Sequence, residues 1–353
     1  MTDRDYRNEL REQVQTFCES KTPLQIVAGQ SKTFYGNPVN AAPLAVSAHR
    51  GIVRYEPTEL VLTARCGTPL REIEQTLADN QQMLGFEPPH FGDNATLGGC
   101  IASGLSGPCR PFRGAARDFV LGVRMINGKG EELRFGGEVM KNVAGYDLAR
   151  LLTGSLGTLG LILDVSLKIL PKPEVEQTFT LELSERVAIH RINELMGQPY
   201  PLSAAAYDGE HLYLRLSGNA AAVNSAHKQI GGDAVRNDTQ FWHSLREHRH
   251  SFFQNRHPLW RLSLAGATPP LEFDGKQFID WGGAQRWLVS EEDPTRIRKK
   301  VSDLGGHATL FRHGKEHPVF QPLLGKLREL HINLKLAFDP HCLFNPGRLY
   351  PDF

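Results

Sequence analysis

The spacing of hydrophobic and polar residues predicts that residues 1–173 form a domain of mixed helices and strands. Hydrophobic residues recur at helical spacing over 5–20 and again over 70–84. Residues 118–136 alternate like the two strands of a β-hairpin that turns at Asn-Gly-Lys-Gly. A long hydrophobic strand over 157–170 is followed by Pro-Lys-Pro, a sequence that ends strands, and we place the domain boundary there.

Residues 174–335 follow a different order of elements. Strand, helix, strand, strand and helix patterns come one after another, and a second, looser round follows over 259–314. Two ferredoxin-like halves would explain this order, so we predict a ferredoxin-like α+β domain here. Residues 336–353 are then expected to return to the first domain. The predicted fold class is α+β throughout.

The composition is that of an ordinary globular protein and excludes several functional classes. Hydrophobic residues make up 40% and charged residues 22% of the 353, and the formal net charge is +1. Such a balance gives no basic field for a nucleic-acid backbone, so we expect no nucleic-acid partner. No window approaches the roughly 18 apolar residues of a membrane-spanning helix, and the N-terminal residues do not resemble a signal peptide. We therefore expect a cytoplasmic protein that reaches a membrane only through partners.

The five cysteines are widely spaced and contain no C-x-x-C pair. Structural zinc sites and cysteine-ligated iron–sulfur clusters both depend on such pairs. We therefore expect no metal, and an iron–sulfur cluster would have to come from another chain. The cysteines are Cys18, Cys66, Cys100, Cys109 and Cys342.

Three glycine-bearing stretches in the first domain indicate a large ligand. Residues 94–108 contain four glycines, but their spacing does not match the G-x-G-x-x-G of dinucleotide-binding Rossmann domains, and Leu105 stands where a P-loop needs lysine. The small residues of 29–33 could offer N–H groups and hydroxyls to a pyrophosphate, and 145–160 supplies further glycines. The alternative is a set of tightly packed turns with nothing bound.

These stretches resemble the vanillyl-alcohol-oxidase-type (PCMH-type) FAD-binding fold family, and within it the flavin subunits of bacterial glycolate oxidases (glycolate dehydrogenases). The resemblance implies a PCMH-type FAD-binding domain of two α+β subdomains, followed by a ferredoxin-like α+β cap domain. It extends over nearly the whole chain. The segments that carry it are 31–36, 63–77, 91–108, 117–173, 278–288, 305–312 and 343–350.

The resemblance also implies which residues bind FAD, with the glycines leaving room for the dinucleotide. On the two sides of the pyrophosphate it places Gly29, Gln30, Ser31, Lys32 and Thr33, and opposite them Ala95, Thr96, Gly98 and Gly99. Near the flavin it places Ser103 and Gly104, with Asn345 approaching the flavin ring. It places Arg117 and Asp118 at the next contact with the cofactor, and Gly157, Gly160 and Ile162 along the adenosine half.

Some members of this fold bind FAD covalently through a histidine of the first phosphate loop. Residues 28–34 contain neither histidine nor cysteine, so we expect non-covalent FAD, with His90 as the alternative linkage site. Related catalytic subunits also carry histidine and glutamate motifs for metal and substrate. Here 307–317 holds only scattered histidines, which we interpret as a polar surface loop.

No catalytic residue is assigned by sequence. If a small 2-hydroxy acid binds, its carboxylate would suit a bidentate guanidinium. Arg261 and Arg286 are candidates on that ground, with Tyr146 and Lys141 as alternatives, and a structural salt bridge is an equally good interpretation of either arginine.

The resemblance implies an FAD-binding subunit of a heteromeric glycolate dehydrogenase complex. Such a complex oxidises glycolate to glyoxylate, with D-lactate as a further candidate substrate, and contains a homologous FAD-containing catalytic subunit and an iron–sulfur subunit that passes electrons to quinone. Two alternatives stay open: a free-standing FAD-dependent 2-hydroxy-acid dehydrogenase and a flavin-free scaffold subunit.

Overall fold

The computed structural model describes residues 4–137, 147–314 and 317–352. The α-helices in these ranges are α1 (Arg7–Ser20), α2 (Leu70–Ala78), α3 (Leu97–Ser103), α4 (Arg110–Arg113), α5 (Leu148–Leu151), α6 (Glu185–Met196), α7 (Ala220–Ile230), α8 (Asp238–Arg246), α9 (Pro294–Asp303) and α10 (Gly325–Phe338). The strands are β1 (Leu24–Val27), β2 (Ala42–Ala45), β3 (Ile52–Glu56), β4 (Val61–Arg65), β5 (Gln82–Met83), β6 (Val120–Ile126), β7 (Glu132–Gly136), β8 (Leu161–Lys168), β9 (Leu170–Pro171), β10 (Val175–Glu182), β11 (Leu202–Tyr207), β12 (His211–Gly218), β13 (Asp233–Ala234), β14 (Leu259–Ser263), β15 (Lys276–Asp280), β16 (Gln285–Val289) and β17 (His307–Arg312). None of the helices described is long and apolar enough to cross a membrane.

The chain divides into two compact units. The first comprises Met1–Leu105, Ala115–Pro171 and Pro322–Phe353, and the second comprises Ser106–Gly114 and Lys172–Gln321. The break after residue 171 lies two residues from the predicted boundary at 173. Helix α10 groups with the first unit, whereas the predicted cap extended to residue 335, because Leu334 and Phe338 pack into the first unit's core.

The first unit is built on a five-stranded antiparallel sheet in the order β3-β4-β8-β6-β7. Strands β1 and β2 form a separate parallel pair, and β5 pairs with β9. The predicted hairpin over 118–136 is confirmed as β6 and β7, whose turn is fixed by Asn127, where Oδ1 accepts the N–H groups of Lys129 and Glu131. The central strand β8 is buried along nearly its whole length, as its hydrophobic sequence requires.

Helix α2 shows how the hydrophobic pattern produces the first unit's core. Its buried residues Leu70, Ile73 and Leu77 are spaced by three and four positions, so they lie on one face of the helix. The helix ends at Ala78, earlier than the predicted end at residue 84. Gln81 adopts a left-handed conformation with φ of 53°, and the chain then enters β5.

The second unit contains an eight-stranded sheet in the order β13-β10-β12-β11-β15-β16-β14-β17. Each half repeats the ferredoxin-like order of strands, in which the first and third strands lie side by side at the centre, so the predicted ferredoxin-like fold is confirmed. The halves join where Tyr207 of β11 pairs with Ile279 of β15. In the second half, a loop over 264–275 stands where α6 stands in the first.

Candidate functional site

A cleft lies within the first unit. It holds about 970 Å³ of space not filled by protein atoms, part of it open to solvent. Its walls come from β1 with the loop after it, from α3, from 156–162, and from a C-terminal segment around Asn345. Four stretches that are far apart in the sequence therefore meet at one site.

The structure brings together thirteen of the seventeen residues predicted to contact FAD. Those that line the cleft are Gly29, Gln30, Ser31, Lys32, Thr33, Thr96, Gly98, Gly99, Ser103, Gly157, Gly160, Ile162 and Asn345. The other four, Ala95, Gly104, Arg117 and Asp118, are not among its lining residues.

The loop after β1 packs directly against the loop before α3. A Cβ atom added to Gly29 would lie 1.5 Å from the carbonyl oxygen of Asn94, so only glycine allows this approach. Lys32 extends along the same loop, and its Nζ donates to the carbonyl oxygen of His90 at 3.2 Å. The two predicted phosphate-binding stretches therefore lie side by side.

Two adjacent glycines of helix α3, Gly98 and Gly99, have different surroundings. Thr96 caps the helix, with its Oγ1 accepting the N–H of Gly99 at 3.3 Å. A Cβ atom at Gly98 would lie 2.7 Å from the Cβ of Cys66, whereas one at Gly99 would meet only Thr96 Oγ1 at 3.3 Å. Gly98 is thus required by packing within the protein, and Gly99 leaves space in the cleft.

Gly104 and Gly160 lie close to the protein's own backbone. Gly104 ends α3 with φ of 63°, and a Cβ atom there would lie 3.0 Å from the backbone of Gly154. Gly160 has φ of 147°, and a Cβ atom there would lie 2.5 Å from the carbonyl oxygen of Ile126. On this geometry Gly104 and Gly160 are required by the protein's own backbone, whereas Gly99 leaves open space in the cleft.

Asn345 connects two walls of the cleft. Its Oδ1 accepts the N–H of Ile26 in β1 at 2.8 Å, and its Nδ2 donates to the carbonyl oxygen of Leu156 at 2.7 Å. Both polar atoms of the side chain are thus occupied by backbone. Asn345 shapes the cleft from a position more than 300 residues after β1.

The charge of the cleft is positive. Lys32 and Arg348 are among its lining residues, and no Asp, Glu or His lines it within the described parts of the chain. Hydroxyl groups of Ser31, Thr33 and Thr96 lie along the same walls. An anionic group such as a pyrophosphate suits this combination of charge and donors.

Comparison with known proteins agrees with this site. Residues 6–136 match the family described as FAD binding domain. The chain is 48% identical over 348 residues to glycolate oxidase subunit GlcE of Escherichia coli (strain K12), covering 99% of this chain and 98% of that protein. The chain belongs to this family of glycolate oxidase subunits. As a member it contains a PCMH-type FAD-binding domain, and FAD is its cofactor.

Two further proteins are similar to this chain. The chain is 43% identical over 127 residues to glycolate oxidase subunit GlcD of Bacillus subtilis (strain 168), which covers 36% of this chain and 27% of that protein. A solved structure of alkyldihydroxyacetonephosphate synthase matches with a TM-score of 0.67 at 15% identity, over 96% of this chain and 75% of that one. The second match shows that the fold is shared with this synthase.

Three residues predicted to contact FAD, or to be its alternative linkage site, do not line the cleft: Arg117, Asp118 and His90. Arg117 and Asp118 are exposed, and the Asp118 carboxylate accepts the N–H of Ala115 at 2.8 Å, at the start of a short 3-10 turn. The Nε2 of His90 lies 3.1 Å from a carboxylate oxygen of Glu74, and His90 does not line the cleft. Asp118 and His90 thus each have a partner within the protein, and Arg117 is exposed.

The two arginine candidates for substrate binding lie in the second unit. Arg286 is fully buried, and its guanidinium donates to the backbone carbonyls of Gly283, Pro269 and Thr268. Arg261 lies over the ring of Phe311, with its guanidinium carbon 5.6 Å from the ring centroid. The donors of Arg286 are therefore used to hold the loop that stands in place of a helix. Lys141 and Tyr146 lie outside the described residues.

Cys66 and Arg348 are among the lining residues of the cleft that sequence reasoning missed. Burial raises the pKa of the Cys66 thiol to about 12, so it stays protonated at neutral pH. The Asn-Pro-Gly turn before Arg348 is the signal that could have directed attention to that residue. Among the residues described, no group of three or more His, Cys, Asp or Glu side chains is arranged to hold a metal ion.

Proposed function

We propose that this chain is the FAD-binding subunit of a heteromeric glycolate dehydrogenase (glycolate oxidase) that oxidises glycolate to glyoxylate. D-lactate is the second candidate substrate. The observation that carries the proposal is the positively charged cleft of the first unit, in a chain that is 48% identical along 99% of its length to a glycolate oxidase subunit.

The residues of the cleft fit FAD. Lys32, Ser31 and Thr33 supply charge and donors for a pyrophosphate, and the open space beside Gly99 admits a group close to the backbone of α3. Apolar side chains, including Ile162, line the rest of the cleft for the ring systems. When bound, FAD can accept the hydride, with its two electrons, that leaves the α-carbon of a 2-hydroxy acid.

We propose that this subunit relays electrons, while its homologous FAD-containing partner removes the substrate proton. Proton removal is usually performed by His, Asp or Glu within hydrogen-bond reach of the substrate. In the described parts of the chain no such residue lines the cleft. The residues that do line it are suited to binding and orienting a cofactor. Arg261 stays a candidate for a substrate carboxylate.

The proposed complex also contains an iron–sulfur subunit that passes electrons to quinone. This chain's cysteines are free thiols, and Cys66, Cys100 and Cys109 are buried. We propose that the cluster belongs to the partner, that the subunit is cytoplasmic, and that its contact with the membrane is made through its partners.

The test is a visible absorption spectrum of the purified chain, repeated on the supernatant after acid precipitation. We expect a flavin spectrum that moves entirely into the supernatant, because the first phosphate loop has no residue for a covalent link and His90 lies near Glu74. Flavin that stays in the pellet would contradict non-covalent binding. A folded chain that holds no flavin and cannot be reloaded would support the scaffold alternative.

An activity assay separates the remaining alternatives. The isolated chain is given glycolate and an artificial electron acceptor, and the assay is repeated after the partner subunits are added. We expect turnover only in the complex. Turnover by the isolated chain at the rate of the complex would support a free-standing 2-hydroxy-acid dehydrogenase.

A further inference from the structure

The C-terminal segment places a guanidinium in the loop that follows β1. Nη1 of Arg348 donates to the carbonyl oxygen of Asn37 at 2.7 Å. Nη2 donates to the carbonyl oxygens of Tyr35 at 2.7 Å and Thr33 at 3.1 Å, and lies 3.5 Å from that of Lys32. One side chain thus holds the backbone of residues 32–37 along its length.

The loop holds the segment in return. The N–H of Asn37 donates to the carbonyl oxygen of Arg348 at 2.9 Å, and its side-chain Nδ2 donates to the carbonyl oxygens of Gly347 and Leu349. Gly36 has φ of 102°, and a Cβ atom there would lie 2.9 Å from Nε of Arg348. The loop is therefore shaped to admit this guanidinium, and the hydrogen bonds run in both directions.

This contact adjoins the cleft. Arg348, Lys32 and Thr33 all line it, so the carbonyls that Arg348 holds belong to residues at the wall or directly after it. The acceptors of Arg348 are neutral carbonyls, so they do not cancel its charge. Arg348 can therefore affect a bound anion in two ways: it fixes the shape of the loop, and its guanidinium carries a positive charge.

We propose that Arg348 is a positioning residue of the FAD site. It fixes residues 33–37, and thereby gives Ser31, Lys32 and Thr33 the arrangement in which they bind the cofactor. The inference rests on the proposed placement of FAD in this cleft. The C-terminal segment then contributes to cofactor binding, because its guanidinium holds the loop whose residues contact the cofactor.

The variants Arg348→Lys and Arg348→Gln test the inference in the full-length chain. Flavin fluorescence is used to titrate the apoprotein with FAD, at a temperature well below its unfolding transition. We expect affinity to fall roughly 10- to 100-fold for Arg348→Gln, because charged hydrogen bonds to the loop are lost and the loop shifts. Arg348→Lys keeps the charge but loses the planar fork, so we expect a loss of about tenfold.

A matched control and a local readout accompany the titration. Arg328→Gln removes an exposed guanidinium of α10 that pairs with Asp352, and we expect it to bind FAD like the wild type. Limited trypsin digestion of the apoprotein reports the loop directly, because trypsin cleaves after Lys32. We expect faster cleavage there in both Arg348 variants and not in Arg328→Gln.

The outcomes separate the inference from the site assignment. Wild-type affinity in both Arg348 variants would overturn the inference, and so would full affinity in Arg348→Lys alone, since charge would then be the whole role. If the Arg348 variants do not fold, Asn37→Ala removes two hydrogen bonds of the same contact, and unchanged affinity there would overturn it. Retention of FAD by Gly99→Val would instead reject the placement of FAD in this cleft.

Discussion

Replacing Gly99 with valine tests the FAD site most directly. The added Cβ would meet only Oγ1 of Thr96, at 3.3 Å, so the new methyl groups extend into the open cleft. Gly98 offers a matched control in the same helical turn, because a Cβ atom there would already lie 2.7 Å from the Cβ of Cys66. The two variants add the same atoms and differ in what those atoms meet.

The structure gives different magnitudes for the two changes. In Gly99→Val, helix propensity favours valine over glycine by a few tenths of a kcal/mol, so we expect the free energy of unfolding of the apoprotein to stay within about 1 kcal/mol of the wild type. In Gly98→Val, overpacking against Cys66 should cost about 1–3 kcal/mol. FAD present at 100 times its Kd stabilises the wild type by about 2.7 kcal/mol, and Gly99→Val should lose this stabilisation.

Three measurements check this prediction: the flavin-to-protein absorbance ratio as purified, the Kd for FAD, and thermal unfolding of the apoprotein with and without FAD. We expect Gly99→Val to be colourless, folded and unaffected by added FAD. Full flavin occupancy in Gly99→Val would refute the reasoning. So would a loss of apoprotein stability equal to that of Gly98→Val, because the effect would then be structural.

Three further predictions concern buried polar groups. Arg286→Met should lower the free energy of unfolding by about 2–4 kcal/mol, because buried carbonyls lose their donor. A urea titration measures this loss. The flavin content should not change, which the absorbance of the purified variant checks. Lys335→Met should cost about 3–5 kcal/mol, since it leaves the Asp339 carboxylate buried without its ammonium partner, and the urea midpoint of the apoprotein measures this. The thiols of Cys66 and Cys100 have pKa values raised to about 12 by burial, so thiolate forms only as the pH rises towards 12. At pH 8 about 10⁻⁴ of each is thiolate, and mass spectrometry should find both unmodified after brief iodoacetamide treatment of the native protein; rapid labelling would contradict the assigned burial.

Local patterns in the sequence were sufficient to predict much of the fold. Helix α1, the β6–β7 hairpin and the two ferredoxin-like halves each depend on spacing within a few tens of residues, and all are present. The end of α2 was missed because a left-handed turn at Gln81 leaves no mark in hydrophobic spacing.

The candidate site was predictable where it follows glycine-bearing stretches and not where it depends on distant contacts. Cys66 and Arg348 line the cleft because strands and loops far apart in the sequence converge there, which no local pattern records. Arg286 was a plausible substrate ligand by residue type alone, but its complete burial among carbonyls follows from tertiary packing. The glycines illustrate the same limit, since Gly98 and Gly99 look equivalent until the position of Cys66 is known.

The hydrogen bond between Ile26 and Asn345 can form only late in the synthesis of the chain. The two residues are separated by 319 positions, which corresponds to roughly 16–64 s of synthesis at 5–20 residues per second. The ribosome makes all of residues 172–321 within that interval. A product that stops before residue 345 contains both phosphate loops but lacks the wall that joins β1 to Leu156. Flavin colour in a translation reaction should therefore report that synthesis has passed this point.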